Sequence, residues 1–443
     1  MSTNCAEVQG LDSWLDYIST VHPSEIELGL DRVRTVANNM GLKKIAPKIV
    51  IVAGTNGKGS CVTLMEALLI ESGLSVASYT SPHLSHYTER IKIDGKSIDE
   101  ASVCIAFTHI DACREGVSLS YFEFSTLAAL WIFCQANIDV ALLEVGLGGR
   151  LDAVNIVDAD VTIISSIALD HQDWLGDNLD SIGREKAGIL RSGVPLVYGD
   201  AEPVGSIIGL AHKLGAPVYL INKHFQWEIT KNGCHWRWSG CNEGRDLSLH
   251  ELVMPALHLN NASIALQTLS LLNIDLAKVN VQKVFKTLHF QGRQEHRLDA
   301  ETGVDVILDV AHNPAAAKFL AAAMSSKKAL EPEFSQISVV IAVMADKDIE
   351  GIALALESCA DIWYISQVEE SRCMPSEEVE KRFQSSGHLR QWVRTESVIN
   401  AYRQACKDSC SFARENPGKK QLVVVTGSFY TVAAVRNLSN SVG

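Results

Sequence analysis

The stretch from Lys48 to Ser60, KIVIVAGTNGKGS, constrains the fold more than any other part of the chain. Ile49 to Val52 is a β-branched run, the composition of a buried strand covered on both faces. Gly54, Gly57 and Gly59 follow with Lys58 among them. Glycine lets a backbone turn tightly and aim its N–H groups at an anion, and a lysine adds a point charge for phosphate oxygens. The apolar run Val62 to Ile70 predicts a helix, whose N-terminus brings a favourable dipole to the same place. A plain tight turn between strand and helix is the competing reading. The loop departs from GxxxxGK[ST], because Gly54 lies three residues before Gly57 and Gly59 separates Lys58 from Ser60.

A chain of 443 residues exceeds one ordinary core, so two domains are expected. The net charge of −13 argues against a nucleic-acid partner while leaving room for a local basic pocket. The start MSTNCAEVQGLDSW has neither a basic cluster nor an apolar core, and no apolar run is long enough to span a bilayer. Eleven cysteines lack a CxxC pair, so reduced thiols, no cysteine-bound metal and a cytoplasmic location are expected.

Apolar strands alternate with helices: Ser75–Tyr79, a turn at Asp94-Gly95 inside ERIKIDGKSI, a helix from Phe122 to Ala136, strands Asp139–Val145 and Val161–Ile167, a helix Asn178–Leu190 and a strand Val194–Tyr198. This βαβ rhythm predicts a parallel sheet with ligands beyond the strands' carboxyl ends. Between His224 and His258, FQWEIT and CHWRWSG flank Asn232-Gly233, which predicts a small antiparallel ribbon. HFQGRQEHR breaks the periodicity, and alternation restarts at Val304. The expected architecture is α/β in two domains: residues 1–288 with a P-loop-type parallel sheet and the ribbon, a linker at 289–297, and a smaller Rossmann-like domain at 298–443.

Polar groups collect where strands end. Ser81-Pro82-His83 could be a Ser-Pro turn. Glu144 ends an apolar strand, so its carboxylate must be paired, with Arg150 or with a metal. Asp170-His171 ends the next strand, and imidazole with carboxylates beside phosphate oxygens makes a divalent-metal shell, although magnesium prefers oxygen. By composition, Arg184-Glu185-Lys186 reads as a solvated helix face. Asp309 to Pro314 could be an Asn-Pro helix cap, and Arg293 either an exposed side chain or a phosphate contact.

Together the motifs AGTNGKGS, SYTSPHLSHYTERIKIDG, SYFEFSTLAALW, LLEVGLGGRLDAVNIV, IISSIALDHQDWLG, SIGREKAGILR, GRQEHR, LDVAHNP and TGSFYTVA span nearly the whole chain. The sequence resembles the bacterial dihydrofolate synthase/folylpolyglutamate synthase family, two-domain members of the Mur-type ligases. The resemblance implies an ATP-dependent ligase that adds L-glutamate to dihydropteroate and to reduced folates through an acyl phosphate, acts on small molecules, and is a monomer. It implies that Thr55, Asn56, Gly57, Lys58, Asn261, Arg293, Asp309 and His312 contact ATP. Ser81, Glu144, His171 and a carbamylated Lys186 would hold magnesium at two sites, with Lys58, Lys186, His171 and Glu144 serving the chemistry. Ser120, Tyr121, Phe122, Leu151, Asp152 and Ala153 would form the dihydropteroate pocket, covered by the loop VHPSEIELGLDRV. Gln294 stands where the family motif has an apolar residue. A monofunctional folylpolyglutamate synthase is the alternative. A peptidoglycan-precursor ligase lacks room for a UDP-binding domain before Gly54, and a regulatory nucleotide-binding module would not need Lys58, Glu144, His171 and Lys186 together.

Overall fold

The computed structural model describes residues 10–24, 26–231, 233–386 and 391–438. The chain packs as two compact units, Met1–Leu288 and His289–Gly443.

In the first unit, strands β1 (Lys48–Ala53), β2 (Val76–Tyr79), β3 (Ile91–Ile93), β4 (Lys96–Ser97), β5 (Val140–Glu144), β6 (Val161–Ile164), β7 (Leu196–Tyr198) and β8 (Val218–Leu220) form one sheet. Its order is β4-β3-β2-β5-β1-β6-β7-β8. All pairings are parallel except those of β3, which runs antiparallel to β2 and β4. From β1 the chain builds first toward β2 and β5 and then, on the other side, toward β6 to β8. That reversal at β1 is where an open α/β sheet forms a crevice at its carboxyl edge.

Strand interiors are apolar because both faces are covered. Ile49, Ile51, Ala141 and Leu143 join a core with Trp14, Phe107, Phe124 and Leu127 from the helices Leu11–Thr20, Glu100–Cys113 and Tyr121–Gln135. On the opposite face lie the helices Lys58–Glu71 and Leu259–Leu271, packed on one another. Asp94 and Gly95, both at positive φ, join β3 to β4, the backbone of a tight hairpin turn.

The antiparallel ribbon has three strands, β9 (Gln226–Ile229), β10 (His235–Asn242) and β11 (Arg245–Val253). Of the expected Asn232-Gly233 turn, Asn232 lies outside the described residues. The third strand, RDLSLHELV, is mostly exposed and polar, so it carries little hydrophobic signal. Trp236 and Trp238 are buried, and Gln267 of the helix Leu259–Leu271 donates to the Cys241 carbonyl at 2.7 Å, which ties the ribbon to this unit.

The second unit contains β12 (Glu295–Leu298), β13 (Asp305–Leu308), β14 (Phe334–Ile341), β15 (Ile362–Ile365), β16 (Trp392–Arg394) and β17 (Lys420–Thr426), ordered β12-β13-β17-β14-β15-β16. Only β12 is antiparallel. The stretch 289–297, expected as a linker, belongs to this unit and supplies most of β12. Ala317, Leu320 and Met324 of the helix Pro314–Leu330 join Ile337, Val339 and Val424 of the sheet in this unit's core.

Candidate active site

In the first unit every expected nucleotide or metal residue lies at the carboxyl edge of the sheet or on a helix bordering it. The glycine loop leaves β1 at Gly54, φ 146°, and enters the helix at Gly57, φ 88°. Both glycines meet a neighbour that leaves no room for a side chain. A Cβ on Gly54 would overlap Ser165 Oγ, and one on Gly57 would lie 2.6 Å from Asn261 Oδ1. The sequence therefore needs glycine for backbone sign and for space.

Ser165 and Ser166, one strand over, hold the loop from behind. Their hydroxyls donate to the Asn56 carbonyl at 2.7 and 3.0 Å, and the Asn56 N–H donates to Ser166 Oγ at 3.1 Å. Thr55 bridges to Ala168, accepting its N–H at 3.0 Å and donating to its carbonyl at 3.2 Å. The expected Thr55 contact thus competes with a structural role. Sequence reasoning assigns Ser165 and Ser166 no part in the loop, although the ISS at the end of β6 carries the signal.

Two lysine side chains converge on one carbonyl. Lys58 Nζ and Lys186 Nζ each donate to Gly54 O at 3.0 Å. Lys186 is 5 % exposed, which overturns the solvated-face reading of Arg184-Glu185-Lys186. Its neighbours carry the solvent-facing part: Arg184 pairs with Asp180 at 3.1 Å and Glu185 with Arg150 at 2.9 Å. Burial, reinforced by the nearby Lys58 cation, brings the Lys186 amine down to about 7, opposed by Asp170 and Asp152.

Because Arg150 takes Glu185, it is not the partner of Glu144. The Glu144 carboxylate, 5 % exposed, accepts the Ser81 N–H at 3.2 Å and faces the loop, 3.4 Å from where a Cβ on Gly59 would stand. The Ser81 hydroxyl makes no hydrogen bond with the described residues. His171 sits beyond β6 at φ 50°, opening the short helix Gln172–Leu175, and its N–H donates to Asp170 Oδ1 at 2.9 Å.

The expected pterin residues form a second cluster in the same unit. Ser120 caps the helix Tyr121–Gln135 and exchanges hydrogen bonds with Glu123. Phe122 leaves no room for a side chain at Gly146, whose Cβ would lie 2.5 Å from Phe122 Cζ. Asp152 accepts N–H groups from Leu147 at 2.8 Å and Val154 at 3.0 Å, so its carboxylate first shapes its own loop. Burial raises it to about 6 against those hydrogen bonds. From the stretch Val21 to Val33, two described residues reach this cluster. Gly29 N–H donates to Leu151 O at 3.2 Å, and Arg32 links Glu27 with Glu123, 3.2 Å from the latter. Arg90 also reaches the cluster: it donates to His83 Nδ1 at 2.8 Å and stacks 5.5 Å over Tyr121. Neither Arg90 nor His83 has a role assigned from sequence.

The second unit brings its own expected residues together. Parallel pairing of β13 with β17 sets the Asp309–Pro314 loop beside Gly427–Thr431, with Gly427 N–H donating to Ala311 O at 2.9 Å. Asp309 accepts the N–H groups of Gln294 and Ala311, each at 2.9 Å. Burial raises its carboxyl, and Arg293 opposes the rise. Gln294 takes φ 47° with an exposed side chain, so this turn needs no apolar residue there. Arg293 is half-buried, 5.4 Å over the Phe429 ring. His312, 6.1 Å from the same ring, directs Nδ1 to Val310 O at 2.8 Å.

A glycine loop opening a helix at the reversal of a parallel sheet, together with a second Rossmann-like unit, defines a Mur-type ligase. Residues 292–429 match the family described as the Mur ligase glutamate ligase domain. Over 425 residues the chain is 39% identical to the dihydrofolate synthase/folylpolyglutamate synthase of Escherichia coli strain K12, covering 96% of this chain and 94% of that one. Escherichia coli FolC in complex with DHPP and ADP superposes with a TM-score of 0.87 at 37% identity, covering 99% of each chain. A bifunctional folylpolyglutamate synthase/dihydrofolate synthase with Mn, AMPPNP and L-glutamate bound gives 0.84 at 38% identity, over 99% of this chain and 100% of that one. The chain belongs to the dihydrofolate synthase/folylpolyglutamate synthase family.

Proposed function

We propose that this protein is an ATP-dependent carboxylate–amine ligase that adds L-glutamate to dihydropteroate, giving dihydrofolate, and to reduced folates, giving folylpolyglutamates. The observation that carries this most directly is the convergence of Lys58 and Lys186 on the Gly54 carbonyl with Glu144 facing Gly59. The Lys58 cation, a buried amine at Lys186 and a buried acid around a glycine loop suit a polyphosphate and its counter-ion. Relatives solved with ADP or AMPPNP, DHPP, Mn and L-glutamate support the same substrates here.

A carboxylate is a poor acyl donor because hydroxide leaves badly. Transfer of the ATP γ-phosphoryl group to the substrate carboxylate gives an acyl phosphate and ADP. The glutamate amine then forms the C–N bond, loses a proton, and expels phosphate. Lys58 and the N–H groups opening the helix Lys58–Glu71 are placed to neutralise charge on the phosphoryl oxygens. Thr55, Asn56, Gly57 and Asn261 are the nucleotide-contacting residues of the first unit, and Arg293, Asp309 and His312 those of the second.

Glu144 and the Ser81 hydroxyl offer hard oxygens at the loop and His171 a nitrogen donor, a set that fits magnesium or manganese. Such an ion would shield the polyphosphate charge. A carbamylated Lys186 would supply the oxygen ligand of a second site. Phe122 offers an aromatic face to the pterin beside Ser120, Tyr121, Leu151, Asp152 and Ala153. The first unit is thus the ATP-binding domain and the second the glutamate-ligase domain of a monomeric, cytoplasmic enzyme.

The test is phosphate release with ATP, magnesium and glutamate. Turnover with both dihydropteroate and tetrahydrofolate is expected. Turnover with tetrahydrofolate alone would reduce the protein to a folylpolyglutamate synthase, and turnover with neither would end the ligase reading.

A further inference from the structure

A cavity of about 510 Å³ opens at the edge of the first unit's sheet opposite the phosphate loop. Ile49, at the start of β1, and Asp160, just before β6, line it. One strand length, about 20 Å, separates it from Gly54. Its volume lies in the range of small-molecule sites, and nothing in the ligase chemistry uses it.

Its walls come from elements that carry the pterin cluster. Leu130 belongs to the helix Tyr121–Gln135, which begins at the Ser120–Phe122 end of that cluster. Ile156 and Val157 end the turn that starts from Asp152. Arg34 lies on the helix Asp31–Asn39, two residues beyond Arg32, which ties that helix to Glu123. A ligand that shifts these walls shifts the far ends of rigid elements, and packed elements transmit such shifts.

The charges select the ligand. Asp158 is already paired with Arg191 at 2.5 Å, and Asp160 with Lys48 at 3.4 Å and the Ile49 N–H at 2.9 Å. Lys44 donates to Pro47 O at 3.0 Å. The side chains of Arg34 and Lys43 make no hydrogen bond or ion pair with the described residues, so the uncommitted charge is positive over an aliphatic floor of Ile45, Ile49, Leu130 and Val157. We propose that this cavity is an effector site for a small organic anion with an apolar body, a carboxylate or sulfonate, and that its occupancy changes the affinity of the pterin cluster. The coupling half of this proposal rests on the pterin assignment above; the binding half does not.

Anilinonaphthalene sulfonate is the probe, titrated by fluorescence against the full chain with ADP and dihydropteroate at saturation. Arg34→Glu with Lys43→Glu should weaken its binding roughly tenfold or more, the loss expected when charged hydrogen bonds are removed. Arg34→Lys with Lys43→Arg should keep it, and uncharged phenylnaphthylamine should bind far more weakly. Both positions are exposed, so folding is not at stake. In turnover, the probe should change the KM for dihydropteroate by about fivefold or more in the wild type and not in the charge-reversed variant. Binding unchanged by charge reversal, displacement of the probe by dihydropteroate that grows without limit as in simple competition, or binding without effect on KM would overturn the proposal. An inactive but probe-binding protein would instead indict the ligase assignment.

Discussion

Replacing Lys186 by methionine probes the most unusual charge in the first unit. The amine is buried beside Lys58, and its pKa falls from the ordinary lysine value of 10.5 to about 7. At neutral pH the uncharged fraction is therefore roughly a thousandfold larger than for a solvated lysine. An uncharged amine adds CO2 to give a carbamate and releases one proton. The product keeps one N–H for the Gly54 carbonyl, now 3.0 Å from Nζ, and turns repulsion by Lys58 into attraction. With bicarbonate labelled by carbon-13, a carbamate resonance should grow between about pH 6 and 8 and vanish in Lys186→Met. Activity should fall when CO2 is removed and recover when it is restored. Lys186→Met should lose about a hundredfold or more in kcat, the scale of removing one charge-stabilising group. Linkage adds a check on the CO2-free protein: the unfolded state holds more protons than the folded state between about pH 7 and 10.5, so stability rises with pH in that window. Lys186→Met should lack that slope. A fully active wild type without a carbamate signal, or a methionine variant within about threefold of wild type, would refute the reasoning.

Three further outcomes follow from other contacts. Gly57→Ala must adopt φ 88° and meet Asn261 Oδ1 at 2.6 Å, so it should destabilise by about 2–4 kcal/mol in chemical denaturation; in an Asn261→Ala background the cost should fall to the ~1–2 kcal/mol of left-handed backbone alone, and an unchanged cost would remove the contact. Phe122→Ala should raise the KM for dihydropteroate by roughly tenfold or more while leaving the KM for ATP in place, measured by phosphate release. Asp200 is pushed up to about 6, chiefly by burial, while it accepts the Ile167 N–H at 2.6 Å. The folded state then binds more protons than the unfolded between about pH 4 and 6, so stability falls as pH rises through that window, and Asp200→Asn should flatten the fall in thermal melts.

Regular elements were legible where burial on both faces forces continuous apolar runs, as in β1, β5, β6, β14 and β17. Elements whose hydrophobic signal is diluted escaped: β11 is largely exposed, β8 is only three half-buried residues, and the helix Ser376–Ser386 is mostly polar. Strand-end loops were legible as places where polar groups gather, because polar residues interrupt apolar strands there. Which neighbour each polar group takes was not, since partners lie far apart in the chain: Arg150 with Glu185, Asn56 with Ser165 and Ser166, Arg32 with Glu123.

The sequence by itself determined the α/β class, the glycine loop between β1 and its helix, and the family, because strand periodicity, glycine spacing and ordered motifs are local properties of the chain. Only the tertiary structure decided that Lys186 is buried against Gly54 rather than solvated, that Glu144 faces the loop rather than Arg150, and that Arg34 and Lys43 line a cavity beside Ile49 and Asp160. Those outcomes depend on desolvation and on which distant side chains meet, and neither is encoded in the spacing of residues along one strand or helix.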